Sequence, residues 1–437
     1  MKKGNGFTLI ELLAVIAILA IILVISIPKI LDVIEESKVN TLKNTIKLIA
    51  DSAEKKKVSD KLLGKDEEIT CKDVAKINDE DYASCIISFD SEGNAKVSIV
   101  GKGKFKRLKV IDGTKENAEV KEITKPTYGM KATEYITNLL EYDGEGLKID
   151  NTSDQNIRYY GANPNNYVSF NNELWRIIGV FGNNVKLIRN EKLGELSWDS
   201  SESSVNDGYG INQWGESKDT SGNIYEGADL KVYLNKMYYG GTSVTCYNGY
   251  NNTTTTCPTN TLDETAKSSI DNHTWNTGAI QYKTRTDTLA FYSAERGTIG
   301  KMCSSGSYCN DTVTRKTTWT GYVALPYVTD WAYASSESVC ETNMQKQDSS
   351  NNYNYICKNN NWMHYGSTYN DVTWYLSPFT NPSNANFVWR VNGDGFVRYD
   401  FATYPLSVFP TIYLKSNILI ESGKGTSSDP YILKAGS

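Results

Sequence analysis

Gly6-Phe7-Thr8-Leu9-Ile10-Glu11-Leu12-Leu13, and the apolar run that carries on from it to Pro28, decide how this chain is built. Met1 to Gly6 is short and basic, with Lys2 and Lys3. The run from Phe7 to Ile27 makes about 31 Å of helix, the thickness of a hydrocarbon core, so it is expected to span a membrane. Lys2 and Lys3 then stay on the cytoplasmic side. Glu11 is the anomaly. A charge at depth in a bilayer costs roughly 2.5–3.5 kcal/mol on insertion scales, so a carboxylate there is expected to have a partner or a function. An ordinary secretory signal is cut at a small residue beyond its apolar region. Here the small residue, Gly6, precedes that region, and a cut after Gly6 leaves the apolar helix on the mature chain with Phe7 as its first residue.

This motif, with Pro28 in the same helix, resembles the N-terminus of type IV pilins and of the pseudopilins of type II secretion and competence systems. The resemblance covers residues 1–56. It implies that a prepilin peptidase cuts after Gly6 and methylates the new amine of Phe7. It also implies that Glu11 pairs with the Phe7 amine of a neighbouring subunit, which is the partner the bilayer argument demands. A plain anchor with Glu11 at the headgroup boundary is the simpler alternative, but it explains neither Gly6-Phe7 nor the acid. The implied partners are other pilin subunits, the peptidase and, through the N-terminal helix, the membrane. The implied location is a single-pass membrane protein before assembly and an extracellular filament or cell surface afterwards.

Beyond Pro28 the helical period continues. Leu42, Ile46, Ile49, Ala50 and Ala53 fall on one stripe, with Lys43, Lys47, Lys55 and Lys56 elsewhere. A proline inside a helix removes a hydrogen bond, so a kink is expected at or just before Pro28. Residues 57–125 read as a small β head. In it Cys85-Ile86-Ile87-Ser88-Phe89 and Ala95 to Val100 flank the turn Ser91-Glu92-Gly93-Asn94, and Arg107 to Ile111 forms a third strand. Residues 126–146 read as a linker followed by a short helix from Lys131 to Leu140. The expected organisation is therefore α+β: a leader at 1–6, a hydrophobic transmembrane and filament-core helix at 7–56, a small antiparallel β head at 57–125, the linker, and a larger irregular α+β domain at 147–437.

The formal charge of −5 falls to −7 once Lys2 and Lys3 leave with the leader. That mildly acidic balance argues against broad binding of nucleic acid outside a competence role, and the basic stretch Lys102, Lys104, Lys106, Arg107 and Lys109 reads as a solvated strand face. All eight cysteines lie beyond the membrane segment in four close pairs: Cys71 with Cys85, Cys246 with Cys257, Cys303 with Cys309, and Cys340 with Cys357. An even count in local pairs outside the membrane reads as disulfides, neighbours closing most easily, although spacing alone leaves other connectivities open. CxxC spacing is absent and His273 and His364 are the only histidines, so no metal site is expected.

All nine tryptophans lie between Trp175 and Trp389. Leu174 to Val180 and Val185 to Arg189 bracket Gly182-Asn183-Asn184 as a hairpin, and Phe387 to Val391 and Phe396 to Phe401 bracket Asn392-Gly393-Asp394-Gly395. Helices are expected at 228–238 and 262–270. Asn172 to Val180, Tyr322 to Pro326, Asp330-Trp331-Ala332-Tyr333-Ala334 and Trp374 to Pro378 resemble an extracellular domain of unassigned function from gut Gram-positive bacteria. So do Val391 to Gly395, Pro410 to Leu414 and Gly423 to Leu433. That domain is loosely similar to C-type-lectin-like and formylglycine-generating-enzyme folds. The copper-site cysteine pair and the lectin Glu-Pro-Asn triplet are both missing here, so neither chemistry carries over.

Neither histidine sits in a nucleophile motif, and spacing alone does little for a carboxylate pair such as Asp199 with Glu202, so no catalytic residue or cofactor is expected. Tryptophan and tyrosine are enriched at recognition surfaces and suit a glycan or protein ligand, but they also fill cores. Asn392-Gly393-Asp394-Gly395 reads as a turn rather than a calcium loop. Two roles remain open: a minor or tip pilin presenting an adhesion domain, or a pseudopilin of a secretion or DNA-uptake system. A membrane-tethered enzyme is the third and weakest reading.

Overall fold

The computed structural model describes residues 9–64, 69–75, 80–142, 144–201, 212–218, 224–281, 284–297, 316–348, 351–366, 370–380 and 385–436. The chain divides into two units, Met1–Lys125 with Glu141–Asp143, and Pro126–Leu140 with Gly144–Ser437.

In the first unit a single helix, α1, runs over Leu9–Leu62 and is assigned without a break through Pro28. The kink expected at or just before Pro28 falls within this continuous helix, and the side chain of Pro28 lies outside the described residues. Leu42, Ile46, Ile49, Ala50 and Ala53 are all buried, so the stripe read from the three-and-four spacing is the face that packs. It covers an antiparallel sheet of β1 (Tyr82–Phe89), β2 (Ala95–Gly101), β3 (Leu108–Gly113) and β4 (Lys121–Glu122) in that order. β2 buries every second residue, Ala95, Val97 and Ile99 pointing into the core. The expected turn is closed by Asp90, whose Oδ1 accepts from the backbone N–H of Glu92 (3.0 Å) and Asn94 (2.9 Å), while Gly93 takes φ +90°. Gly113 permits the close approach of helix and sheet: a Cβ there would lie 2.6 Å from Ile46 Cγ2. Cys71 and Cys85 are joined, tying the short helix Cys71–Val74 to β1.

The second unit is built on two large mixed sheets. In the first, the strands run Val323–Ala324, Thr411–Tyr413, Asn184–Arg189, Glu173–Phe181, Tyr167–Phe170, Tyr431–Ala435 and Ile418–Ser422 in spatial order. In the second they run Gly194–Ser197, Pro405–Val408, Val372–Thr380, Phe387–Asn392 and Val397–Phe401. Both expected hairpins are present, with Phe181 opposite Asn184 and Val391 opposite Val397. Parallel pairs such as Tyr431 with Val168 join strands far apart in sequence, and local pattern does not announce them.

The expected short helix is Ala132–Tyr142, and Tyr135 and Ile136 are buried in the core of this second unit. The expected helix at 262–270 is Glu264–Ser269, capped by Asp263, whose Oδ1 accepts from Ala266 N at 2.7 Å. The helix expected at 228–238 starts as Asp229–Val232 and widens to a π-helix over Tyr233–Tyr239. Within it Asn235 bonds sideways to the edge strand, its Nδ2 donating to Val323 O (2.9 Å) and its Oδ1 accepting from Val323 N (3.2 Å). Among the described residues the α-helices Thr288–Glu295 and Val328–Tyr333 are additional to those expected from the sequence. Disulfides join Cys246 to Cys257 and Cys340 to Cys357. Cys303 and Cys309 lie outside the described residues.

Eight of the nine tryptophans are buried and Trp319 is half-buried. Several of their indole N–H groups donate to backbone carbonyls: Trp275 to Gly321, Trp362 to Tyr159, Trp374 to Leu196 and Trp389 to Ile280. These rings therefore form the core. Their faces are not a recognition surface, which settles the alternative that the sequence left open.

Candidate functional site

Gly6 and Phe7 lie outside the described residues. Glu11 belongs to the backbone of α1, and its side chain also lies outside the description. The described part of α1 shows what this end of the chain must do. Among the described side chains of the helix the first fully buried one is Leu42, about 45 Å along the helix axis from Glu11. Along it Leu13, Ile16, Ile27, Ile30, Val33 and Ile34 are exposed in the single chain. Exposed aliphatic side chains, when they gather on a helix, mark a surface that lipid or other protein covers. Among the described residues no helix is long and apolar enough to cross a membrane. The span expected over Phe7–Ile27 falls mostly on side chains outside that description.

Residues 1–27 match the family model of the prokaryotic N-terminal methylation motif. The chain carries a type IV pilin- or pseudopilin-like prepilin motif. No curated protein and no solved structure matches the chain. The prepilin motif implies processing by a prepilin peptidase, assembly with other pilins, and passage from a membrane-anchored precursor to a surface-exposed filament.

The other residues singled out from the sequence are engaged in the fold. His364 Nε2 lies 3.0 Å from Gly393 O and its Nδ1 lies 3.4 Å from the indole nitrogen of Trp331, so the ring pins the 392–395 turn to the core. That turn is closed by Gly395 N donating to Asn392 O (2.8 Å), with Gly395 at φ +82°, and Asp394 Oδ1 accepts from Phe396 N. His273 holds Asp271 through Nδ1 at 3.0 Å and stacks on Tyr413 with ring centres 3.7 Å apart. Burial lowers the pKa of both histidines, which favours the neutral ring. Asp199 is buried and accepts from Ser201 N, while Glu202 lies outside the described residues. In the basic stretch, Lys104 is paired with Asp81 at 2.8 Å.

The chemistry that sequence reasoning missed lies at the centre of the second unit. Arg158, on the strand Ile157–Tyr159, reaches Asp150 through Nε (2.8 Å) and Asp330 through Nη1 (2.5 Å). Lys186, on Asn184–Arg189, places Nζ 2.5 Å from the other oxygen of Asp330. All four side chains are essentially inaccessible. Glu295 is equally buried and accepts from Thr329 Oγ1 at 2.7 Å. Burial works against charge on every one of these groups. Asp330 nevertheless keeps a carboxyl below the usual range, because Lys186 and Arg158 outweigh burial. For Lys186 burial wins, and its amine is pushed down to about 8. The two partners divide the cost unequally because Asp330 has two cations and Lys186 a single carboxylate, with Arg158 as a neighbouring like charge. Glu295 is pushed up to about 7 by burial, against the pull of Arg296.

One local signal pointed at this cluster. Lys186 interrupts the apolar run Val185-Lys186-Leu187-Ile188 within the strand Asn184–Arg189, where a lysine is rarely buried without a partner. Its partner is 144 residues away, out of reach of any pattern argument.

Proposed function

We propose that this protein is a minor or tip subunit of a type IV pilus, assembled through α1 and presenting its second unit as a non-catalytic adhesion domain. The observation that carries the reading is the size of the second unit, more than twice the length of the first, on a chain with a prepilin motif. A head of that bulk crowds a thin filament when repeated at every subunit, but it fits at the end or at sparse positions. Two disulfides, and a core in which tryptophan N–H groups are held by carbonyls, suit a domain that works outside the cell.

With the tryptophans inside, contact with a glycan or protein ligand falls to surface aromatics. Phe401 and Tyr404 are exposed beside a depression lined by Phe387, Arg390, Arg398, Tyr399 and Asp400. Rings beside guanidinium groups are a composition that recognition surfaces favour.

Shearing filaments from cells and identifying this chain in them tests the assembly half. Mucin and glycan arrays probed with those filaments test the binding half. Absence from sheared filaments, together with a secretion or DNA-uptake defect on deletion, overturns the reading in favour of a pseudopilin. Hydrolytic or transferase activity of the intact chain overturns the non-catalytic assignment.

A further inference from the structure

We propose that Lys186 and Asp330 condense to an intramolecular amide, an isopeptide bond that joins the strand Asn184–Arg189 to the helix Val328–Tyr333. The observations are geometric. Lys186 Nζ stands 2.5 Å from Asp330 Oδ2, and neither side chain is exposed to solvent. The amine is caged by rings, 4.1 Å from the centre of Tyr327 and between 5.3 and 5.5 Å from Phe181, Tyr413 and Trp275. The carboxyl is held from both sides, Oδ1 by Arg158 Nη1 at 2.5 Å and Oδ2 by Tyr327 N at 2.9 Å as well as by Lys186.

In water an amine and a carboxylic acid ionise and do not condense. A dry, aromatic site lowers that obstacle on the lysine side, because a lysine gives up its proton readily when buried, and direct contact keeps the proton transfer between the two groups. Transfer of one proton from Nζ to Oδ2 yields the neutral amine and the neutral acid. The nitrogen lone pair then attacks Cγ and forms the C–N bond. Negative charge gathers on Oδ1 in the tetrahedral intermediate, where the Arg158 guanidinium already donates, an arrangement that stabilises developing charge without reorganisation. The nitrogen passes a second proton to Oδ2, the Cγ–Oδ2 bond breaks, and one water leaves. Nothing is oxidised or reduced, and no co-reactant is needed. Fixed contact between the reacting groups supplies the effective concentration that a bimolecular condensation lacks.

The product suits the site. Two charges vanish from the core, Oδ1 remains an acceptor for Arg158, and Arg158 keeps Asp150 as its counter-ion. The bond would close a loop of 144 residues, in a domain that the filament reading exposes to shear and proteases.

The mass of the intact, full-length mature protein tests this directly. The expected mass is that of residues 7–437 with one N-methyl group, less the disulfide hydrogens and less one further water, and a proteolytic digest should contain a branched peptide joining the Lys186 and Asp330 segments. Lys186→Arg should restore the missing water. A folded wild-type protein with the full mass, and with Lys186 and Asp330 recovered in separate linear peptides, overturns the proposal. So does a water loss that persists in Lys186→Arg.

Discussion

Lys186 and Asp330 meet at 2.5 Å in the centre of the second unit, one on a strand and the other on a helix 144 residues further along the chain. Around them Arg158, Asp150 and Glu295 form a buried cluster of ionisable groups in a core otherwise filled by aliphatic and aromatic side chains.

Asp330→Ala leaves Arg158 with one carboxylate and Lys186 with none. Removing one partner of a buried ion pair costs roughly 3–5 kcal/mol. Denaturant unfolding followed by tryptophan emission, which reports the second unit alone because every tryptophan lies in it, should show a loss of that size. A loss under 1 kcal/mol contradicts the burial of the cluster.

Glu295 makes stability depend on pH in a definite sense. Its folded pKa is raised to about 7 from 4.5, so the folded state holds a proton that the unfolded state has released between those values. Stability from this group is therefore complete below pH 4.5 and declines as pH rises to 7, by about 1.4 kcal/mol per pH unit. Glu295→Gln, which keeps an acceptor for Thr329, should flatten that slope. Unfolding midpoints measured from pH 4.5 to 7.5 on both proteins decide it.

Cys340 and Cys357 are both fully buried and close a loop of sequence separation 17. Replacing both by serine should cost about 2–4 kcal/mol, a figure typical for a native bridge. Calorimetry of the double variant should show the second unit melting earlier while the first unit is unchanged.

Gly113→Val tests the packing of α1 on the head. A Cβ at this position overlaps Ile46 Cγ2 and Val110 Cγ1, so helix and sheet must separate, at roughly 1–3 kcal/mol. Helical content should persist while protection of α1 amides near Ile46 falls in hydrogen exchange.

At the N-terminus, Glu11→Ala should leave membrane insertion intact and stop or scramble filament incorporation, since the Phe7 amine of a neighbour loses its counter-charge. Gly6→Leu should leave the precursor uncut, seen as a longer mass in the membrane fraction. Normal filaments from the first variant, or a shortened second one, would sink the processing and pairing scheme.

Features carried by contiguous residues were readable before any fold was known. The motif at Gly6 to Glu11, the stripe from Leu42 to Ala53, the two hairpins around residues 182 and 393 and the three described disulfides all rest on spacing of two, three or four, or on near neighbours. Such spacings are dictated by backbone geometry, so they survive in the sequence as pattern. The tryptophans could not be assigned that way, because a ring suits a core and a binding face equally, and only packing made eight of them interior. Of the Lys186, Asp330, Arg158 and Glu295 cluster only Lys186 left a trace, as a lysine among apolar strand residues; its partners come from separate strands and helices, and what unites them is the exclusion of water at one point of the folded chain. By itself the sequence determined that the chain carries a prepilin motif followed by a long helix. Tertiary structure alone decided which charges are buried together, because burial depends on everything that packs around a residue, and most of that is distant in sequence.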